Sequence, residues 1–308
     1  MKVLITGGNG FIGRHTRAEL HACGYEVLVF DRHDHYSSLD EFFLGDIRDA
    51  VAVNEAMAHS DAWIHLAGVL GTAETIANPR PAAETNVLGG LNVLEAAAQY
   101  GLPGVNIAVG NWWMNNTYAI TKNSVERFSR MFVKERGLPV TNVRALNAYG
   151  PLQSVAQPYG NSKVRKIMPS FVCRALLGHP IEIYGDGEQI MDMIYVQDVA
   201  TVLVNALEAT INNGALPETI EAGTGRPTTV NFIAEAVQKT ALELYGVESE
   251  IRHLPMRSGE PDRSVVLANT DMLVDYDIID PNSLLSLEEG LVPTAEYFME
   301  YLNGQGYS

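Results

Sequence analysis

The sequence has few cysteines, few clustered metal ligands and no long apolar run. Cys23 and Cys173 are its only cysteines. Both stand in apolar, helix-like contexts, so we expect buried free thiols in a reducing compartment rather than a disulfide framework. The group His33-Asp34-His35 has no third or fourth ligand nearby in sequence, so we predict no metal site. No window approaches the length of a membrane span, and the first apolar run is too short for a signal peptide. We therefore expect a cytoplasmic protein with no membrane partner.

Positive charge is also scarce. The chain has 21 Lys and Arg residues against 37 Asp and Glu residues, which gives a formal net charge of −16. Such an acidic chain is poorly suited to bind nucleic acid or an anionic membrane surface. An anionic substrate would therefore need a local basic patch. The apolar content of 46% over 308 residues is enough for one large core, or for a core and a smaller lobe.

The chain begins with a strand, a tight turn and a helix. An apolar run at residues 2–6 leads into Gly7, Gly10 and Gly13, and a helix-capable segment covers Phe11–Ala22. In such a turn the backbone can approach a diphosphate with no Cβ in the way, while the free N–H groups of the helix start point at the anion. The third glycine lets the helix lie close to the strand. The turn predicts a dinucleotide-binding site, although glycines also punctuate ordinary turns.

Asp31 strengthens this prediction. It ends the next apolar run, residues 26–30, about 20 residues after the turn, where a carboxylate accepts a hydrogen bond from a ribose 2′-OH. An acid at this position repels a 2′-phosphate, so NAD is favoured over NADP. Arg14 and Arg32 lie nearby in sequence and leave the NADP alternative open.

The following strand ends supply further candidates for cofactor contacts. Asp46 either accepts from an adenine amino group or caps the next helix. The strand at residues 62–66 stops at Ala67 and Gly68. Small residues at the carboxyl end of a parallel strand allow a ligand to approach the backbone closely.

A tyrosine and a lysine four residues apart follow the fifth predicted strand, residues 105–109. Tyr118 and Lys122 share one helix face, and an ammonium held there favours phenolate over phenol, which predicts a lowered tyrosine pKa. Tyr159 and Lys163 have the same spacing. We prefer the first pair because it opens the helix beside the place where the glycine turn puts the nicotinamide.

With these residues in place, the chain resembles the extended short-chain dehydrogenase/reductase superfamily, in particular the NAD-dependent nucleotide-sugar epimerases and dehydratases. The resemblance covers nearly the whole chain. It implies an α/β fold, a Rossmann-type doubly wound parallel sheet with a smaller C-terminal substrate-binding lobe. The implied NAD-binding domain is 1–150, with 193–225 returning to it, and the implied lobe is 151–192 and 226–308. Besides the features above, the resemblance rests on Asn86 and on the segments 45–49, 65–68, 144–151, 183–187, 194–200, 221–225, 257–260 and 286–291.

The resemblance also implies roles for individual residues. The predicted cofactor-binding residues are Gly7, Gly10, Phe11, Ile12, Gly13, Asp31, Arg32, Asp46, Ile47, Leu66, Ala67, Gly68, Asn86, Val109, Tyr118 and Lys122. The implied substrate is a nucleotide-diphosphate sugar, with Asn147, Lys163, Arg165 and Arg257 as binding residues. Tyr118 takes a proton from a sugar hydroxyl, and Lys122 binds the nicotinamide ribose. Homodimerisation is implied through the helices at 85–99 and 118–136, whose apolar surfaces permit it.

Two departures from the family concern the loop after the fifth strand. The family usually has a Ser or Thr there, which hydrogen-bonds the reacting hydroxyl; here Gly110 or Asn111 takes that position. Asn111 both donates and accepts, so we predict that it substitutes as a catalytic residue. The loop is also short, and Trp112 and Trp113 replace the acidic pair of the 4,6-dehydratases. Dehydration is therefore less favoured than epimerisation.

A third departure is Met191, which stands where the family places a phosphate-binding arginine. The loss of a charge-assisted contact requires another cation. The candidates are Lys163, Arg165 and Lys166, although such a charge run is equally consistent with a solvated loop.

From these observations we expect an NAD-dependent nucleotide-sugar epimerase, acting at C4 of a UDP-sugar through a keto intermediate. The alternatives are a dehydratase, reductase or dehydrogenase of the same superfamily. A different class remains open, namely a catalytically degenerate protein that retains NAD binding, because a fold does not guarantee its chemistry.

Overall fold

The protein is described from a computed structural model, which covers residues 1–34, 39–256 and 263–307. The strands are β1 (Lys2–Thr6), β2 (Glu26–Asp31), β3 (Glu41–Leu44), β4 (Ala62–His65), β5 (Gly104–Val109), β6 (Val140–Ala145), β7 (Asn147–Tyr149), β8 (Ile181–Tyr184), β9 (Ile190–Met191), β10 (Met193–Tyr195), β11 (Ile220–Ala222), β12 (Thr228–Thr229), β13 (Ile251–Leu254) and β14 (Val265–Val266). The helices are α1 (Phe11–Ala22), α2 (Ala50–Ala58), α3 (Arg80–Ala82), a π-helical segment (Ala83–Gly89), α4 (Gly90–Tyr100), α5 (Thr117–Arg136), α6 (Ile167–Leu176), α7 (Val196–Asn213), α8 (Val230–Tyr245), α9 (Asp271–Asp275), a 3₁₀ turn (Pro281–Ser283) and α10 (Leu287–Gly304).

The main sheet has seven strands in the order β11-β6-β5-β4-β1-β2-β3, and every neighbouring pair is parallel. Helices cover both of its faces. Val3 and Ile5 pack in one core cluster with residues of α1 and α7. Leu4, between them, packs in another with residues of α2, α4 and α5. Strands buried on both faces read as continuous apolar runs, and the predicted Rossmann-type α/β fold is confirmed.

The ends of the helices that border the sheet follow from local chemistry. The side chain of Asp49 accepts from two backbone N–H groups and caps α2. The side chain of Asn116 accepts from Ala119 N and caps α5, which ends at Gly137 with φ near +66°. A left-handed residue at that position closes a helix and favours glycine. The caps fix where α5 starts, and therefore where its first turn meets the sheet.

The second lobe packs α6, α8 and α10 around the apolar side chains of one cluster, which includes Phe171, Val237 and Phe298. Small sheets border it: β13-β8, and β12-β9-β14. Tyr149 joins this cluster, and its hydroxyl donates to the Leu287 carbonyl at 3.2 Å. Because α7 and β11 pack with the main sheet, the chain crosses between the two parts more than once. The residue bounds of the two domains stay a prediction.

The cysteines differ partly from expectation. Both are free, and Cys173 is buried, but Cys23 is exposed just after the end of α1. The prediction of a buried thiol at Cys23 is therefore wrong, because the helix turns that end of the chain towards solvent. Among the described residues, no helix has both the length and the apolar character to cross a bilayer.

Candidate active site

A cavity of about 570 Å³ opens at the carboxyl ends of the parallel strands. The β1–α1 turn and the ends of β2, β4, β5 and β6 form one side, and segments of the second lobe form the other. Ligands of open α/β sheets bind at this edge. Fifteen of the predicted cofactor residues line the cavity: Gly7, Gly10, Phe11, Ile12, Gly13, Asp31, Arg32, Asp46, Ile47, Leu66, Ala67, Gly68, Val109, Tyr118 and Lys122.

The glycine turn has the close packing that a diphosphate site needs. Gly7 has φ near +73°, and a Cβ there would lie 2.7 Å from Ala67 N. A Cβ on Gly13 would clash with the carbonyl oxygen of Gly7. No side chain caps the N-terminus of α1 at Gly10, so its first N–H groups remain available to an anion. The turn therefore fits the diphosphate of a dinucleotide.

Asp31 is oriented by backbone donors. Its Oδ2 accepts from Asn9 N at 3.0 Å and its Oδ1 accepts from His33 N at 3.1 Å. Each carboxylate oxygen keeps further lone pairs, so a ribose hydroxyl can still donate to Asp31. This arrangement supports the predicted role of the residue in ribose recognition.

Asp46 does not cap the following helix, and that alternative is wrong. Asp49 performs the capping, because the helix starts later than the sequence pattern indicates. Asp46 instead accepts from the Arg48 guanidinium, which holds the pKa of the Asp46 carboxyl below its usual range. Arg32 lies 3.9 Å from the same carboxylate.

Tyr118 and Lys122 stand on the first turns of α5 and line the cavity. Lys122 is 4% exposed, and burial lowers its pKa to about 8. Burial raises the pKa of Tyr118 to about 12. The predicted lowering of the tyrosine pKa by its lysine neighbour is therefore wrong in this state, because loss of solvation dominates the phenol. Without further positive charge, Tyr118 is a protonated phenol at neutral pH.

The competing pair is not at the cavity. The Tyr159 hydroxyl is hydrogen-bonded to His179 Nδ1 at 2.6 Å, within the core of the second lobe. Lys163 is exposed and does not line the cavity. The preference for Tyr118 and Lys122 is thus supported by position, and Lys163 loses its support as a substrate-binding residue.

Asn86 does not line the cavity either. Its Oδ1 accepts from Val69 N at 2.7 Å, and its Nδ2 donates to the Val69 carbonyl and to Thr121 Oγ1. The hydroxyl of Thr121 in turn donates to the Tyr118 carbonyl. Asn86 therefore joins the loop after β4 to the first turn of α5, so it supports the site rather than facing a ligand.

Gly110 and Asn111 of the short loop after β5 line the cavity, and Asn111 is the one that brings a side chain. Asn111 lines the wall, and its Nδ2 donates to Met114 Sδ at 3.1 Å, while its buried Oδ1 receives no hydrogen bond from any described residue. Trp112 lies over the Arg144 guanidinium, with the Cζ atom 4.8 Å from the ring centroid. Trp113 is exposed, and neither tryptophan lines the cavity.

Amide and apolar groups dominate the wall near the second lobe. Asn147 donates through Nδ2 to the Asp192 carbonyl at 3.1 Å. Met191 lines the wall with Met168 and Met193. The position where the family places a phosphate-binding arginine therefore faces the cavity in this chain, but it carries a methionine. Gln153 also lines it. Sequence reasoning missed Gln153, and no spacing or motif on its own could have found it.

Two cations and one carboxylate complete this wall. Arg165 donates to the Tyr184 hydroxyl and lies 3.6 Å from Glu182. Lys166 lines the cavity, and burial lowers its pKa. Glu74 accepts from Arg165 N at 3.3 Å. The fourth predicted substrate residue, Arg257, lies outside the described residues.

A model of the NAD dependent epimerase/dehydratase family matches residues 3–223. The UDP-N-acetyl-alpha-D-glucosaminuronate decarboxylase of Bacillus cytotoxicus is 28% identical over 98% of this chain and 99% of its own. The UDP-glucose 4-epimerase of Thermotoga maritima, solved with UDP-glucose, is 29% identical with a TM-score of 0.85, covering 98% of this chain and 100% of that one. The UDP-glucose 4-epimerase of Thermus thermophilus, solved with NAD, is 28% identical with a TM-score of 0.82, covering 97% and 99%. The prediction of NAD as cofactor is confirmed.

Proposed function

Because the chain belongs to the NAD-dependent epimerase/dehydratase family, we propose that it is a nucleotide-sugar epimerase that inverts C4 of a UDP-sugar through a keto intermediate. The observation that carries this proposal is the joint placement of the glycine turn, Tyr118 and Lys122 on one cavity wall. The free amide oxygen of Asn111 adds support, since it accepts hydrogen bonds and a sugar offers hydroxyl donors.

The chain's own residues would divide the work as follows. The β1–α1 turn and Asp31 hold NAD, which when bound supplies a hydride acceptor and a positive charge. Tyr118 takes the proton from the C4 hydroxyl as that carbon is oxidised, and returns it when the carbon is reduced from the opposite face. Lys122 adds positive charge beside the phenol. Asn111 Oδ1 accepts from a neighbouring sugar hydroxyl and so orients the ring for the proton transfer to Tyr118.

Dehydration is less well supported because the loop after β5 brings no carboxylate to the cavity. Trp112 and Trp113 stand where the family's dehydratases carry their acids, and both rings lie away from the wall. Glu74 is a carboxylate on the cavity wall near the second lobe, and it already accepts a hydrogen bond from the backbone N–H of Arg165. A departing hydroxyl needs a positioned acid, which this loop does not supply.

Decarboxylation of a UDP-uronate is the second candidate. It is favoured by the similarity to the Bacillus cytotoxicus decarboxylase and by Lys166, whose buried ammonium can pair with a sugar carboxylate. The two reactions are separated by incubating the enzyme with UDP-glucose and with UDP-glucuronate. Formation of the C4 epimer supports the first proposal, and loss of carbon dioxide with a pentose product supports the second.

Tyr118→Phe and Tyr159→Phe provide a matched test of the site. Loss of the Tyr118 hydroxyl removes the acid–base group and should lower kcat by about 10²- to 10⁴-fold. Loss of the Tyr159 hydroxyl removes a hydrogen bond between the buried Tyr159 and the exposed His179, so it should lower stability while leaving kcat nearly unchanged. The reverse result would disprove the assignment. Absence of turnover in the wild type with every nucleotide sugar would favour the degenerate class.

Two further features belong to this proposal. Arg165 and Lys166 are the cations that we assign to the substrate diphosphate in place of the missing arginine at Met191.

Exposed apolar side chains, Leu88 on the π-helical segment and Ile120, Phe128 and Met131 on α5, favour a homodimer through these helices. Sedimentation velocity of the wild type against Ile120→Lys tests the dimer. The free cysteines favour a cytoplasmic location.

A further inference from the structure

Gln153 is a buried amide on the cavity wall for which no role has been assigned. It is 9% exposed and lines the cavity beside Asn147 and Ala148. Its Nε2 donates to the Ala148 carbonyl at 3.1 Å. Its Oε1 is buried and receives no hydrogen bond from any residue that the structure describes. An unpaired buried acceptor is costly, and a ligand in the cavity can relieve that cost.

The hydrogen bond to Ala148 determines which end of the amide is free. A backbone carbonyl only accepts, so the end of Gln153 that faces Ala148 must be the NH₂ group. The free atom is therefore the amide oxygen, which needs a donor. An ionised phosphate has only acceptors to offer and is excluded as its partner. A hydroxyl group fits.

The segment before Gln153 is fixed against the helix that follows the glycine turn. His15 Nε2 donates to the Pro151 carbonyl at 3.0 Å, and Arg14 donates to the Leu152 carbonyl at 3.5 Å. Leu152 has φ near +69°, a conformation that costs a non-glycine residue energy and is kept only where the surroundings impose it. Gln153 thus stands at a defined point between the cofactor side and the substrate side of the cavity.

We propose that Gln153 Oε1 accepts a hydrogen bond from a sugar-ring hydroxyl, carried either by the nucleotide-sugar substrate or by a ribose of NAD. The substrate alternative rests on the proposed function, and the NAD alternative does not. Gln189 is a natural comparison, since it is 8% exposed, donates through Nε2 to the Tyr184 carbonyl at 3.0 Å, and its Oε1 likewise accepts from no residue that the structure describes. Gln189 does not line the cavity. The position of Gln153 on the wall, rather than its unpaired oxygen alone, indicates the ligand.

Gln153→Met and Gln189→Met form a matched pair of variants, because each replaces a buried amide by an apolar chain of similar length. Isothermal titration calorimetry measures the binding of NAD to nucleotide-free protein, and of UDP-glucose and UDP to NAD-loaded protein. Gln153→Met should weaken one of these ligands by about threefold to tenfold, the worth of one hydrogen bond. Gln189→Met should change the melting temperature about as much as Gln153→Met does, but leave all three affinities unchanged.

The pattern of losses decides between the sources. A loss for UDP-glucose alone places the donor on the glucose ring, and a loss for UDP as well places it on the uridine ribose. A loss for NAD places it on the cofactor. If Gln153→Met binds all three ligands like the wild type, or if Gln189→Met loses the same affinity, the inference is overturned. If the wild type binds no UDP-glucose but Gln153→Met weakens NAD, the proposed substrate fails and the inference stands.

Discussion

Replacing Lys122 by Met should stabilise the nucleotide-free protein while abolishing its activity. In the folded chain the pKa of Lys122 falls from 10.5 to about 8 because burial penalises the charged form. At about 1.4 kcal/mol per pH unit, keeping this ammonium charged in the folded state at pH 7 costs roughly 3 kcal/mol. Methionine fills similar space with no charge, so the variant avoids that cost.

The direction of the pH dependence follows from linkage. Between pH 8 and pH 10.5 the unfolded wild type holds the proton of Lys122 and the folded wild type releases it, so the destabilising contribution of Lys122 shrinks as the pH rises across this window. The advantage of Lys122→Met should therefore be largest at pH 7 and narrow towards pH 10. In the folded protein the pKa of His65, about 3, and that of Tyr118, about 12, both lie outside this window. Glu126 is ion-paired with arginines.

Differential scanning fluorimetry of nucleotide-free protein, from pH 7 to pH 10, measures this effect. We expect the melting temperature of Lys122→Met at pH 7 to exceed the wild-type value by about 2–6 °C, after allowing for imperfect packing of the new side chain. Lys134→Met on the same helix is the control, since its side chain is 83% exposed and its replacement should be nearly neutral. A variant less stable than the wild type at pH 7, or a difference independent of pH, would refute the reasoning.

Two other substitutions probe the loop after β5 and the choice of cofactor. Trp112→Ala removes the ring that covers Arg144 and should lower kcat by loosening Asn111, whereas Trp113→Ala should retain kcat. Steady-state kinetics of the two variants distinguishes a positioning role of Trp112 from general damage to the loop. Equal losses of kcat in both variants would contradict the positioning role. Asp31→Asn keeps the size of the side chain but removes its charge, so the NAD affinity should fall about tenfold or more and the preference for NAD over NADP should shrink. Titration of the variant with both nucleotides measures these two effects. An unchanged preference would exclude Asp31 as the source of the NAD preference.

The parts of the fold that the sequence predicted well depend on short stretches of chain. The helix Phe11–Ala22 has the predicted bounds, because the glycine turn before it leaves little freedom for its start. The central strands were recognisable because a strand covered on both faces needs an unbroken apolar run. Tyr118 was identified because it opens the helix after the fifth strand, a property of chain order rather than of distant contacts.

The predictions that failed concern side chains whose burial is set by tertiary packing. Neighbouring charge suggested a lowered pKa for Tyr118, but the enclosure of the phenol decides the direction. Likewise, the sequence named Lys163, Arg165 and Lys166 as candidate cations for the substrate, but Lys163 is solvated, whereas Arg165 and Lys166 line the cavity. Lys163 and Lys166 are three residues apart in one loop but have different surroundings. The position of α6, which follows this loop, determines that Lys166 and not Lys163 lines the cavity.

The cavity also resolves how so acidic a chain can receive anionic nucleotides. Among the described wall residues there are four cations and three carboxylates: Arg32, Lys122, Arg165 and Lys166 against Asp31, Asp46 and Glu74. Arg32 and Arg165 already lie within 4 Å of carboxylates that offset part of their charge, so the two lysines supply most of the available positive charge. Burial lowers the pKa of both, and a bound anion favours their charged forms. Nucleotide binding and lysine protonation therefore support each other, so the protein needs no net positive surface to hold its ligands.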